Sequence, residues 1–371
     1  MMHQPSVRDR FHGVMNYEPV GAIPNFEFGY WDETYARWHE QGLPPEIDDE
    51  TKAYEYFGIE HWGDLWVRGG LYPAFEEKIL EETETRKVII DSEGVKKEIP
   101  KGPENSIPRY LEFPIRDRES WERVRRERLD PDNPERFVEK WIDYARDLQN
   151  SGIPVSVPIG SMYGIPRNLI GFENISILLY DDWDLVEEVV ETMCRIYENV
   201  LDRVLPQFKG DFGAGWEDIC FNNGPMISPK MFRKLVVPRY KRITDRLRAN
   251  GIHMIWTDCD GDITDLVPCF LEGGINCMFP IEVRAGSDPV ALRRRFGQEL
   301  LLVGGVDKMA LREGAAATKR ELRRILPIVR DGGYIPTVDH RVPPDVSLEN
   351  YKTYLKIKRD LFGVGGYTEN L

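Results

Sequence analysis

Residues 255–268, IWTDCDGDITDLVP, pass from strand-forming side chains straight into four aspartates, Asp258, Asp260, Asp262 and Asp265, with Cys259 among them. Carboxylates in that position fit two readings. They are a solvated loop whose aspartates cap the next helix, or the floor of a site at the carboxyl end of a buried strand. Working outward, residues 253–257 and 276–279 read as short strands. The same pattern recurs at 22–28, 153–159, 211–216, 300–303 and 334–338, with an eighth strand near 64–67. Longer amphipathic segments alternate with them. Residues 184–205 carry apolar side chains at helical spacing, Ser228–Pro229 opens another helix, and Ser347 starts one that stops at Gly363. Strands each followed by a helix predict an α/β fold, a closed TIM-like (β/α)8 barrel as a single domain over 1–371. Residues 72–117 break the rhythm. KVIIDSEGVKKEIP predicts a hairpin turning at 92–94, followed by a proline-rich linker, as an inserted cap.

Composition narrows the function classes. A chain of 371 residues with 41% hydrophobic content has enough apolar side chain for a large core. A net charge of −14 disfavours a nucleic-acid partner, which needs a basic face. No run of 18 apolar residues exists, and MMHQPSVRDRFHG lacks the apolar core of a signal peptide, so a cytoplasmic protein without membrane contact is expected. No nucleotide cofactor is expected. Five cysteines with no CxxC pair fit reduced thiols; Cys194, Cys220, Cys269 and Cys277 read as core, and Cys259 stands among charges.

In a barrel the chemistry gathers at the carboxyl ends of the strands, and polar residues collect there in this sequence. They are Glu27, then Met162 and Tyr163 in GSMYG, Glu217, Asp218 and Asn222 in WEDICFNN, the acidic stretch itself, Glu282 in PIEV, Asp307 in GGVDK, and Asp339, His340 and Arg341 in VDHRVPPD. The first loop, FEFGYWDETYARWHEQG, is aromatic and acidic. Phe26, Phe28, Tyr30, Trp31 and Met162 are expected to form an apolar wall for a flat or aromatic ligand, unless Phe26 and Phe28 are core.

Several stretches in order carry a resemblance: NLIGFENISILLYDD, GPMISPKMFRKLVVPRYKRITDRL, DGDITDLVPCFLEGGINCMFPIEV, LLVGGVDK and GGYIPTVDHRVPPDVSLENY. From about 152 to 362 the chain resembles the uroporphyrinogen decarboxylase superfamily, whose fold is a TIM-like barrel. RFHGVMNYEPVGAIPNFEF matches the family's opening more loosely, with Gly21–Ala22 where an acidic–basic pair is usual. The resemblance implies one of two chemistries, decarboxylation of a tetrapyrrole polyanion or methyl transfer to or from corrinoid cobalt. A polyanion calls for arginines, yet the first loop holds only Arg37 beside Glu27, Asp32 and Glu33, which favours methyl transfer. The methyl group would move between an O-methyl or N-methyl compound, or a pterin acceptor, and a corrinoid carried on a separate protein. A homo-oligomer is left open. A small-molecule-binding protein without catalysis is the reading from another class.

Thiol-methylating members of that superfamily hold zinc through a His-x-Cys pair and a distant Cys. Motif for motif, the resemblance puts Asp258, Asp260 and His340 at those positions. Two carboxylates and an imidazole are a harder set than thiolates, although such sets do hold zinc or another divalent ion. Cys259, between them, points to the opposite side of an extended backbone. Two readings stand: a metal site activating an oxygen, or a metal-free acid–base cluster. In the second, carboxylates at i and i+2 disfavour each other's ionisation, which keeps one as a protonated acid near neutrality. Helix capping by Asp260 or Asp262 is the structural alternative. The sequence thus proposes Asp258, Asp260 and His340 as catalytic, with Glu27, Tyr30, Trp31, Met162, Tyr163, Glu217, Asp218, Asn222, Glu282 and Arg341 contacting substrate.

Overall fold

Seven of the eight expected strands pair into one parallel sheet in the computed structural model, which describes residues 5–101, 108–366, 368 and 370. They are β1 (Gly63–Asp64), β2 (Val155–Gly160), β3 (Phe212–Trp216), β4 (Ile255–Asp258), β5 (Cys277–Phe279), β6 (Leu301–Val303) and β7 (Tyr334–Ile335), adjacent in that order. Every ladder is parallel because a helical crossover lies between most successive strands. Asp258 pairs in register with Trp216 on one side and Phe279 on the other, so the acidic stretch begins level with the ends of β3 and β5.

The helices follow their sequence signals. Trp183–Val204 starts at Asp182, whose side chain accepts from the Leu185 amide; Pro229–Leu235 starts at Ser228 and Leu348–Phe362 at Ser347. Inside the sheet, aromatic rings take the place that branched aliphatics often fill. Trp256 stacks on Phe279 with centroids 5.4 Å apart, Phe212 lies 4.5 Å from Trp256, and Trp62 meets Trp256 edge-on at 5.0 Å.

The eighth expected strand, 22–28, makes no ladder. Pro24 lacks an amide hydrogen, and the segment forms one isolated bridge, Ile23 to Val364, with another, Tyr30 to Val342, just beyond it. It nevertheless spans the gap between the two edges of the sheet: the Asn25 carbonyl accepts from the Glu60 amide at 2.9 Å, and Glu27 Oε2 accepts from the Val338 amide at 3.0 Å. Side chains finish the seam. Glu27 Oε1 accepts from Tyr354 Oη and Lys358 Nζ, each at 2.7 Å, and Lys358 also donates to the Phe26 carbonyl. Among the described residues the sheet is therefore a curled seven-stranded α/β sheet whose seam is joined by side chains.

The insertion is larger than a hairpin. Strands Lys78–Glu82, Arg86–Ile90, Lys96–Pro100 and Arg109–Glu112 form an antiparallel sheet, with the expected turn at 92–94. The two outer strands are exposed on every residue, so they carry no apolar alternation to read. Residues 102–107 of the expected proline-rich linker lie outside the described residues.

Candidate active site

β4 delivers Asp258 to the rim and the chain then turns sharply. Gly261 has φ +83°, and a Cβ there would lie 2.3 Å from the Cys220 carbonyl, so the acidic loop presses directly on the loop that follows β3. Cys259 turns inward, fully buried, with its Sγ 4.0 Å from Cys220 Sγ. Asp260 stays at the surface of the mouth. Its Oδ2 lies 3.5 Å from His340 Nε2, while its Oδ1 is shut off from solvent without a hydrogen-bond partner. The imidazole is fixed by two rings, stacked on Trp31 at 5.3 Å and edge-on to Phe28 at 5.5 Å. Asp218 enters from the β3 loop with φ +46°, its carboxylate 3.8 Å from Arg167 Nη2. The next helix begins only at Val267, too far along for Asp258 or Asp260 to cap it; Asp262 instead accepts from the Thr264 amide. The capping alternative fails.

Electrostatics separates these carboxylates. Burial pushes Asp258 well above the ordinary range, and Asp260 and Asp218 push it further, against a smaller pull from Arg341. Burial likewise raises Asp218, with Asp260 next in weight. A second group lies beside them. Asp339 is fully buried, accepts from the Val283 and Lys308 amides at 2.9 and 3.0 Å, and is raised to about 6 by that burial against the attraction of Lys308. Lys308 Nζ reaches Glu282 at 3.1 Å, and Glu282 Oε2 accepts from the Gly261 amide, which ties this pair to the acidic loop. Lys308 was absent from the expected set; its only sequence signal was its place beside Asp307 after β6.

Other expected contacts lie elsewhere. Glu217 is fully buried, and its carboxylate accepts from the amides of Met162, Tyr163 and Gly164, from Ser161 Oγ and from Tyr240 Oη, anchoring the turn that opens helix Gly164–Ile170. Glu27 belongs to the seam. Tyr30 points into the core, its hydroxyl 2.8 Å from that of Tyr351, and Phe26, Met162 and Tyr163 are fully buried as well. Asn222 is exposed in the turn between Cys220–Phe221 and Gly224–Pro225. Asp218, Asp258, Asp260, Glu282, His340 and Trp31 do come together; Arg341 stands behind them, its Nη1 donating to Glu50 and the Tyr30 carbonyl at 2.9 Å each. Among the described residues no three His, Cys, Asp or Glu side chains are arranged to hold a metal ion, so Asp258, Asp260 and His340 are not a preformed ligand triad.

Next to the cluster lies a cavity of about 430 Å³. Phe28 and Arg341 belong to both. The cavity is otherwise walled by Tyr54, Trp62, Glu50, Glu55 and Asp64, with Glu27, Thr51, Ile59 and His61 completing it.

Residues 89–361 match the family described as uroporphyrinogen decarboxylase (URO-D). The chain belongs to the uroporphyrinogen decarboxylase family. Among solved structures, this family member is similar to a methyltransferase from Methanosarcina mazei, with a TM-score of 0.58 at 13% identity over 96% of this chain and 99% of that one. At that identity the likeness is one of fold. A B12-independent methionine synthase from Shewanella sp. W3-18-1 matches at TM-score 0.39 and 12% identity, covering 76% of this chain and 73% of that one. A putative vitamin-B12 independent methionine synthase from Listeria monocytogenes matches at 0.39 and 10%, covering 93% and 98%. No curated protein matches this uroporphyrinogen decarboxylase family member. No helix among its described residues is long and apolar enough to cross a membrane.

Proposed function

We propose that this chain is a methyltransferase built on a TIM-like (β/α)8 barrel, moving a methyl group between a small O-methyl or N-methyl compound, or a pterin acceptor, and a corrinoid. The corrinoid is a co-substrate that arrives on a separate protein and supplies the cobalt that takes or donates the methyl group. The observation that carries the reading is the mouth itself. Asp218, Asp258 and Asp260 converge there, and Asp258 is held toward its protonated form by burial and by the other two. A protonated carboxyl is what a leaving alkoxide, or an amine that arrives neutral, needs as its C–O or C–N bond breaks. His340, 3.5 Å from Asp260 and packed against Trp31 and Phe28, positions the Asp260 carboxylate and gives a flat substrate an aromatic neighbour. Asp260 Oδ1, without a partner, is left to accept from a bound donor. The fold likeness to the M. mazei methyltransferase supports the same direction.

The same mouth opposes a porphyrinogen. Each of its cations has a carboxylate beside it: Arg341 has Glu50, Arg284 has Asp307 at 2.8 Å, Lys308 has Glu282, and Arg167 has Asp218 at 3.8 Å. A substrate with several carboxylates would have to displace these partners one by one. The reading uses Asp258 as the proton donor and calls for no metal at Asp258, Asp260 and His340, which do not form a ligand set. The test is a paired assay of purified protein. Methyl transfer from methoxy and N-methyl compounds to free, fully reduced cobalamin is followed by the cobalamin spectrum, and carbon dioxide release is followed from uroporphyrinogen. Methyl transfer that is lost in Asp258→Asn is the expected result. Carbon dioxide release without methyl transfer would return the chain to the decarboxylases.

A further inference from the structure

The cavity beside the acid cluster has a chemistry of its own. Three aromatic side chains, Phe28, Tyr54 and Trp62, share its wall with Glu50, Glu55 and Asp64. The aromatic groups are held still. Trp62 is packed edge-on by Phe26 at 5.4 Å and Trp256 at 5.0 Å, and the Tyr54 hydroxyl is committed to the Glu27 carbonyl, which leaves its ring as the free surface. The charge is lopsided. Arg341 is the one guanidinium in the wall, and it is paired with Glu50; Glu27 is answered from behind by Lys358, so Glu55 and Asp64 remain as net negative charge. His61 stands at the exposed rim.

Aromatic faces beside uncompensated carboxylates favour one kind of ligand. A soft, weakly hydrated cation gains from the ring quadrupoles and from the carboxylates, and loses little on leaving water. An anion meets Glu55 and Asp64, and a neutral ligand gains from the rings but nothing from these two exposed carboxylates, of which Asp64 also accepts from Ser156 Oγ at 2.6 Å. The volume holds a methylated ammonium group with a substituent of several heavy atoms. Phe28 ties the cavity to the acid cluster: its ring meets His340 at 5.5 Å and Phe279 at 4.5 Å and already has the Arg341 guanidinium 5.9 Å from its centre, so a bound cation falls to Tyr54 and Trp62.

We propose that this cavity binds a methylated ammonium ion, and that the methyl donor is therefore an N-methyl amine in its cationic form. The second clause rests on the methyltransferase reading; the binding does not. In the transfer the C–N bond breaks with its electron pair staying on nitrogen, which leaves as a neutral amine, and the acceptor supplies the pair for the new bond to carbon. For a protonated tertiary amine, the neighbouring acid cluster keeps that proton on nitrogen.

The experiment needs no corrinoid. Choline and its neutral isostere 3,3-dimethylbutan-1-ol are titrated into the whole protein, with tryptophan fluorescence and calorimetry as readouts. Choline is expected to bind at least tenfold more tightly than the isostere. Trp62→Leu should reduce choline binding about tenfold, and Glu55→Gln, on an exposed helix position, should reduce it several-fold in a protein that folds normally. Equal binding of the two probes, or choline binding that neither variant weakens, overturns the cation site. Failure of the two readings is distinguishable: methyl transfer from a methoxy donor with no choline binding keeps the methyltransferase and removes this site, whereas choline binding with no transfer from any donor keeps the site and removes the donor assignment.

Discussion

His340 Nε2 lies 3.5 Å from Asp260 Oδ2, joining the last strand region of the sheet to the loop after β4 across its mouth. Residues 80 positions apart in sequence meet there because parallel strands place all their carboxyl ends on one rim. If the pair acts as a unit, Asp260→Asn and His340→Ala should each lower methyl-transfer turnover by about 10²-fold or more while the melting temperature barely moves. The double variant should lose little beyond either single one. Rates and melting curves on the same three proteins check this, and losses that multiply would mean that the two groups act separately.

Asp258 provides a pH signature. A general acid works while protonated, so turnover falls as pH rises through its pKa, and that pKa is raised in part by Asp260. Removing the Asp260 charge should therefore move the alkaline limb of the Asp260→Asn profile to lower pH, in whatever activity remains. A pH–rate profile of both proteins reads the shift; an unmoved limb would assign the acid to another group.

Asp339 is expected to tax stability in a definite window. Its pKa is raised from 3.8 unfolded to about 6 in the fold, so between about pH 4 and pH 6 the native state binds the extra proton and stability falls as pH rises. The whole difference is on the order of 3 kcal/mol and is complete above about pH 6. Urea midpoints from pH 3.5 to 7.5 should fall in wild type relative to Asp339→Asn over that interval and run parallel beyond it.

The seam offers a stability test away from the chemistry. Lys358→Met leaves the buried Glu27 carboxylate unpaired and should cost about 3–5 kcal/mol. Adding Glu27→Gln removes the stranded charge and should restore part of that loss. A double variant no more stable than the single one would show that the ion pair is not what joins the two edges.

Most of the parallel sheet was legible because its strands are short, apolar and followed by a helix; Gly63–Asp64, which is neither apolar nor followed directly by one, is the exception. Asp258, Asp260 and His340 were singled out by motif and position; Asp260 and His340 lie 3.5 Å apart, with Asp258 beside Asp260. What the sequence hid was direction. Glu217 and Asp218 are adjacent, and only the left-handed backbone at Asp218 sends one carboxylate inward onto three amides and the other out to the mouth. Glu27 looked like a rim residue because the segment before it looked like a strand; Pro24 denies it a ladder, and the carboxylate is needed for the seam. The cavity was invisible for another reason, since Tyr54, Glu55 and Trp62 come from a helix and loop that lead into β1 and carry no motif.

The seam also changes what mutation is able to reach. A ladder is made of backbone, and nearly any residue supplies it. Here the bridging segment meets the β1 side through the Asn25 carbonyl, but on the β7 side it is held by a carboxylate backed by a phenol and an ammonium, so a structural duty rests on three side-chain identities. Along this line, drift is restricted by chemistry rather than by shape. Comparing chains of this family position by position should show Glu27, Tyr354 and Lys358 changing together, while the strands on the far side of the sheet exchange Val, Ile and Leu freely.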